Sequence, residues 1–124
     1  MDERVLHLED GSTVTAKVNF GTIYYMEQIN LFPLLRRANK LKKKGKQPTS
    51  RDAVQLAAKM IYVLLRSNGR NVDLDEALVL TPIDIDEGSE FYAVFEDFNR
   101  KLENFQKKQQ ARQAMKMQAR KMSA

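Results

Sequence analysis

Cysteine is absent, which excludes disulfides, thiol nucleophiles and cysteine-ligated zinc together and fits a reducing compartment. Long apolar runs are absent too. No stretch has the length of a signal peptide or a membrane span, and the first residues, Met1-Asp2-Glu3-Arg4, are charged. The expectation is a cytoplasmic protein with no membrane partner. Histidine occurs once, as His7, with no serine or aspartate at an informative spacing. It reads as a half-exposed strand residue, not a general base. The glycines Gly11, Gly21, Gly45, Gly69 and Gly88 are scattered as turns, caps or linkers, so no phosphate-cradling loop exists. The cluster Asp84-Ile85-Asp86-Glu87-Gly88 has the acid density of a calcium loop without its spacing. Gly88 stands fifth from Asp84 where the sixth is required, and the twelfth position is Phe95 in place of a glutamate. Glu87 and Glu90 instead favour the N-terminus of the helix that follows, through its dipole. What is left is a non-enzymatic chain with no metal and no cofactor, expected to act by binding proteins.

Charge is present in quantity, and it is sorted. From Arg36 to Lys46 there are seven bases (Arg36, Arg37, Lys40, Lys42, Lys43, Lys44, Lys46) and no acid. From Asp73 to Asp97 there are nine acids and no base, and from Arg100 to Lys121 eight bases face the single acid Glu103. Blocks of alternating sign suit solvated surfaces, contact between segments, or contact between copies of the chain. The lysine run makes an electrostatic patch able to attract phosphates. It lacks the interleaved aromatics that stack on single-stranded bases, so nucleic acid is the lesser expectation.

A chain of 124 residues makes one domain with one core. Residues 4–20 read as a β-hairpin in which Leu6 and Leu8, then Val14, Ala16, Val18 and Phe20, alternate with polar neighbours. Parity decides the loop. A two-residue turn would put the two apolar stripes on opposite faces. A three-residue loop with Gly11 left-handed pairs Leu6 with Val14 and keeps both stripes together. Thr22 is a possible cap for a helix through Ile23 to Leu35, interrupted just before Pro33. Leu34, Leu35, Ala38 and Leu41 carry a short second helix into a loop over residues 42–48. Arg51 to Ser67 is the central helix, capped at Thr49 or Ser50 and striped by Val54, Ala57, Ala58, Ile61, Leu64 and Leu65. Asn68-Gly69 stops it. Asp73 caps a helix with Leu74, Ala77 and Leu78 inward, and residues 82–88 are a linker.

The last helix starts near Ser89. Phe91, Phe95, Phe98, Leu102 and Phe105 form a narrow 4-3-4-3 seam of the kind used in coiled coils. Beyond Phe105 the seam positions become Gln109, Arg112 and Lys116, so the core contact ends there. The expected organisation is a globular domain over residues 1–105 and a basic helical or disordered tail over 106–124. The fold class is mostly α, formally α+β: an N-terminal hairpin packed on four or five helices, the last one long. Surfaces for self-association or partner binding are expected at Leu6, Leu8 and Val14 on the hairpin and at Phe91, Phe95, Phe98, Leu102 and Phe105 on the seam.

The order of parts carries a resemblance. A hairpin with an Asp-Gly turn passes through Val18-Asn19-Phe20-Gly21-Thr22 into a helix with Tyr25-Met26-Glu27. Ala57-Ala58-Lys59-Met60-Ile61-Tyr62 and then Val72-Asp73-Leu74-Asp75-Glu76-Ala77-Leu78 follow, and a phenylalanine-rich helix with a basic, glutamine-rich end completes it. Over residues 4–105 this resembles the tail assembly chaperones of long-tailed, siphovirus-type bacteriophages and prophages. The resemblance implies a non-enzymatic chaperone of the host cytoplasm, absent from the mature virion. It would self-associate into rings or spirals, coat the tape-measure protein and recruit tail-tube subunits. Two other roles stay open: a small basic nucleic-acid-binding regulator, and an adaptor or structural subunit of a particle.

Overall fold

The computed structural model describes residues 4–122, with side chains described as far as Met115. Two short strands, β1 (Val5–His7) and β2 (Thr13–Thr15), form an antiparallel hairpin. Five helices follow: α1 (Phe20–Gln28), α2 (Leu31–Lys43), α3 (Ser50–Ser67), α4 (Leu74–Leu80) and α5 (Glu90–Met122). The chain is therefore mostly helical, with an N-terminal hairpin and a long last helix.

The hairpin has the register that parity requires. Leu6 pairs with Val14, the Leu8 amide donates to the Ser12 carbonyl at 2.9 Å, and Gly11 sits at φ 83°. Leu6, Leu8, Val14 and Ala16 all face inward and are buried. The ladder is shorter than the 4–20 span expected, since residues 16–19 leave it to reach α1. So short a hairpin is stable only against other elements. β1 lies along α5, and β2 lies against α3. Lys101 Nζ on α5 donates to the Ala16 carbonyl at 2.8 Å, and Asn68 Nδ2 donates to the Thr15 carbonyl at 3.1 Å.

The helix starts differ from expectation in two places. The cap of α1 is Asn19, not Thr22. Asn19 Oδ1 accepts from the Thr22 amide at 3.1 Å, while Thr22 Oγ1 accepts from the Asn19 amide at 2.9 Å. This reciprocal pair satisfies two otherwise orphaned donors. The break before α2 falls at Asn30, in the left-handed conformation at φ 54°, rather than next to Pro33. Pro33 is accommodated inside the first turn of α2, where its missing N–H has no helical partner to lose. That helix also runs on through Lys42 and Lys43, so the loop begins at Lys44.

α3 is the centre of the molecule, packed against α1, α2, α4 and β2. Its cap is Thr49, whose hydroxyl accepts from the Asp52 amide at 3.2 Å, and Gly69 at φ 84° ends it. Met60, Ile61, Val63, Leu64 and Leu65 are all but fully buried. Val54, expected in the stripe, is 46% exposed, because the first turns of α3 border an open groove. Leu56 is buried in its place. In α4 the capping aspartate is as expected, Asp73 Oδ1 accepting from the Glu76 amide at 2.8 Å. Only Ala77 of its three predicted inward residues is buried. Leu74 and Leu78 are exposed, a correction: α4 packs on α3, and of the three only Ala77 lies on the side that this packing covers.

On α5 the seam is consumed by the chain's own core. Phe91, Phe95, Phe98 and Leu102 are buried, and Phe105 is half-buried against the ring of Phe20 at 5.4 Å. Beyond it the helix runs on to Met122 with the side chains of residues 110–115 exposed, while residues 123 and 124 lie outside the described range.

Candidate functional site

Three elements distant in sequence meet at one groove. The C-terminal half of α2 and the loop after it supply Lys42 and Lys46. The first turns of α3 supply Val54 and Ala57, and the 82–88 linker with the start of α5 supplies Asp86, Glu87, Phe91 and Tyr92. The groove encloses about 720 Å³. Its floor is apolar, with Phe91 and Phe95 stacked at 6.2 Å and Tyr92 edge-on to Phe95 at 6.0 Å. Its two walls carry opposite charge. Exposed Lys42 and Lys46 come from α2 and the loop after it, and exposed Asp86 and Glu87 from the linker before α5.

The charge blocks behind these walls barely neutralise one another. All seven bases from Arg36 to Lys46 are exposed. Of these seven only Lys42 pairs with the acidic block among the described residues, at 3.5 Å from Glu96 Oε2. Lys42 also lies 5.2 Å from the centroid of the Tyr92 ring, and Tyr92 first, then Glu96, hold its pKa above the ordinary lysine value. Asp75, Glu76, Asp84, Asp86 and Glu87 have no ion-pair partner among the described residues. Asp97 is the exception within its block. It is buried and held by Arg100 and Lys101, the latter at 3.2 Å.

A smaller cleft of about 360 Å³ adjoins the groove, lined in part by His7, Glu9, Asp84 and Glu90. Glu90 Oε1 accepts from the His7 amide at 2.6 Å and lies 3.0 Å from His7 Nδ1. The His7 backbone N–H above all holds the Glu90 pKa below the usual glutamate range. Histidine here ties β1 to the start of α5. Among the described residues no three of His, Asp and Glu converge to hold a metal ion.

The residues expected to mediate association are therefore placed unevenly. Leu6, Leu8, Val14, Phe98 and Leu102 are interior to one subunit, and no second copy can reach them without unfolding it. Phe91 and Phe95 are buried yet form groove floor. Phe105 is half-buried beside the exposed Phe20. The electrostatic patch from Arg36 to Lys46 is on the surface, with Lys42 and Lys46 in the groove wall. Periodicity did not reveal Val54, Ile83 and Tyr92 as groove residues, because their shared environment depends on tertiary contact.

No helix among the described residues is long and apolar enough to cross a membrane. Comparison with family models, curated proteins and solved structures finds no match to this chain.

Proposed function

We propose that this chain is a non-catalytic assembly chaperone that binds copies of itself and holds other proteins while they are built into a larger structure. The observation that carries the reading is the groove. Aromatic and aliphatic floors bury the apolar face of a protein segment, and charged walls of opposite sign select its direction and register. The unneutralised blocks add long-range attraction between proteins. The tail-assembly role is the specific form of this proposal, with the tape-measure protein and tail-tube subunits as clients in a phage-infected cytoplasm. It is supported by the element order on which the resemblance rests: hairpin, Tyr25-Met26-Glu27 helix, apolar central helix and phenylalanine-rich last helix.

The test is co-expression of the full chain with the tape-measure protein of the same genome. The expected result is a soluble, co-purifying complex that the tape-measure protein alone does not give. A client that stays insoluble beside a well-folded excess of this chain overturns the reading. A salt-dependent shift of mixed DNA or RNA, with no client rescue, would favour the regulator. Arg36, Arg37, Lys40, Lys43, Lys44 and Lys46, which have no ion-pair partner among the described residues, would then be its phosphate contacts.

A further inference from the structure

Helix α5 reaches the groove with one end and leaves the molecule with the other. Phe91, Tyr92 and Phe95, in its first two turns, belong to the groove floor. Met115 on its projecting part is 71% exposed. The helix is continuous from Glu90 to Met122. At about 1.5 Å per residue, Phe95 and Met115 are roughly 30 Å apart along it. A continuous helix cannot turn back through that distance, so a subunit's tail cannot enter its own groove. It can enter another's.

The tail has the chemistry for that position. From Gln106 to Ala124 the sequence contains Lys107, Lys108, Arg112, Lys116, Arg120 and Lys121 and no acid. Ala111 and Met115 lie one turn apart on one line of the helix, and Lys108 and Arg112 lie one turn apart on the adjoining line. Without tertiary contacts a helical stretch of this length is marginal in water, so a partner that covers the Ala111–Met115 line stabilises it. The groove supplies an apolar floor for that line. Its acidic wall, Asp86 and Glu87, has no partner among the described residues. Lys42, which also lines the groove, is already engaged by Glu96, which reduces its repulsion toward an incoming base.

We infer that the groove receives the C-terminal helix of a second copy of this chain, with Ala111 and Met115 on its apolar floor and Lys108 and Arg112 against Asp86 and Glu87. The inference rests on the self-association in the proposed function and gives it a mechanism and a direction. Socket and peg are different surfaces, so the contact is heterologous. Repetition closes a ring or extends a spiral, according to the rotation between neighbours.

The experiment uses the full chain and two charge reversals, Asp86→Lys with Glu87→Lys in the socket and Lys108→Glu with Arg112→Glu in the peg. All four positions are exposed, and circular dichroism and a thermal melt verify that both variants fold. In sedimentation velocity at micromolar concentrations and low salt, the wild type should form species beyond a dimer. Each reversal alone should weaken association at least tenfold. In a mixture of the two variants each peg meets a socket of opposite charge on the other variant, the wild-type pair and the reversed pair alike, so alternating assembly beyond a dimer should return. The four reversals in one chain should restore assembly. A wild type that is monomeric throughout, or that stops at a dimer, overturns the inference. So does assembly unchanged in either folded variant, or a mixture that stays monomeric. Client rescue in co-expression is scored separately for both variants. Rescue by variants that fail the docking test would leave the chaperone reading intact, and loss of client rescue by the wild type would end that reading independently.

Discussion

Lys42 Nζ lies 3.5 Å from Glu96 Oε2, and among the described residues this is the one ion pair that joins the Arg36–Lys46 block to the Asp73–Asp97 block. Both side chains are more than half exposed, so the pair contributes at most about 1 kcal/mol. Replacing Lys43, Lys44 and Lys46 with serine should therefore leave folding stability within about 0.5 kcal/mol of the wild type. Urea midpoints measure this directly. A loss of several kcal/mol would mean that the lysines hold the fold through contacts other than these.

The interior behaves oppositely. Ile61 and Leu64 are essentially inaccessible in the middle of α3, and truncating either to alanine should cost about 2–5 kcal/mol through lost burial and the cavity left behind. Val54, three turns or less away on the same helix but bordering the groove, should cost under about 1 kcal/mol. Similar midpoints for Val54→Ala and Leu64→Ala would refute this division of α3 into a core end and a groove end.

Asp97 is 5% exposed and Lys101 serves it and the hairpin at once. The ammonium is 3.2 Å from Asp97 Oδ2, which accepts no hydrogen bond of its own, and donates to the Ala16 carbonyl at 2.8 Å. Lys101→Met leaves that carbonyl without its donor and takes the ion-pair partner from Asp97 Oδ2, at a cost of about 1–3 kcal/mol. Arg100 still balances the charge in part. Adding Asp97→Asn removes the stranded charge, so the double variant should be more stable than Lys101→Met alone. Strict additivity of the two changes would show that the groups do not communicate.

Acid should act through two carboxylates on the hairpin side. The Ser12 hydroxyl and amide, followed by Arg70, lower the Asp10 pKa from 3.8 to about 2. Glu90 is lowered from 4.5 chiefly by the His7 amide. A folded-state pKa below the unfolded value gives stability that is complete above the unfolded pKa and is lost as pH falls through the folded one. Both contributions are therefore present at neutral pH. Glu90's begins to fall near 4.5, and Asp10's disappears between 3.8 and about 2. Glu90→Gln and Asp10→Asn should each lower the neutral-pH melting temperature and flatten its decline in acid. Parallel melting curves against pH for wild type and variants would contradict the assignment.

What the sequence disclosed and what it concealed divide along physical lines. The Leu6–Val14 register followed from alternation, because a slip of one residue turns a whole apolar stripe to solvent. The caps at Asp73 and Thr49 and the stop at Gly69 followed from local chemistry. Val54, Leu74 and Leu78 were misplaced because helical spacing shows which residues share a face, while burial depends on what covers that face. The groove was invisible for a related reason. Its walls come from positions 42–46 and 86–87, brought together only by the packing of α2, α3 and α5. The charge blocks were legible as composition, and that a single ion pair joins the Arg36–Lys46 block to the acidic block among the described residues was not.

The junction between hairpin and bundle offers the last prediction. Thr22 is completely buried, and its hydroxyl meets the Asn19 amide at 2.9 Å, the Lys17 carbonyl at 3.2 Å and Ser67 Oγ at 2.8 Å. Asn19 accepts from the Thr22 amide at 3.1 Å and reaches the Ser67 carbonyl at 3.5 Å. One small network thus caps α1 and fastens it to the last turn of α3. Asn19→Ala should cost about 0.5–2 kcal/mol as a lost cap. Thr22→Val keeps the shape but strands the Ser67 hydroxyl and the Asn19 amide, at about 1–3 kcal/mol. Each change already disables part of what the other supports, so the double variant should lose clearly less than the sum. Amide hydrogen exchange should localise the damage, with protection falling in α1 and at the end of α3 before it falls in α5. Additive losses, or exchange that rises first in α5, would show that the cap and the α1–α3 fastening are independent features.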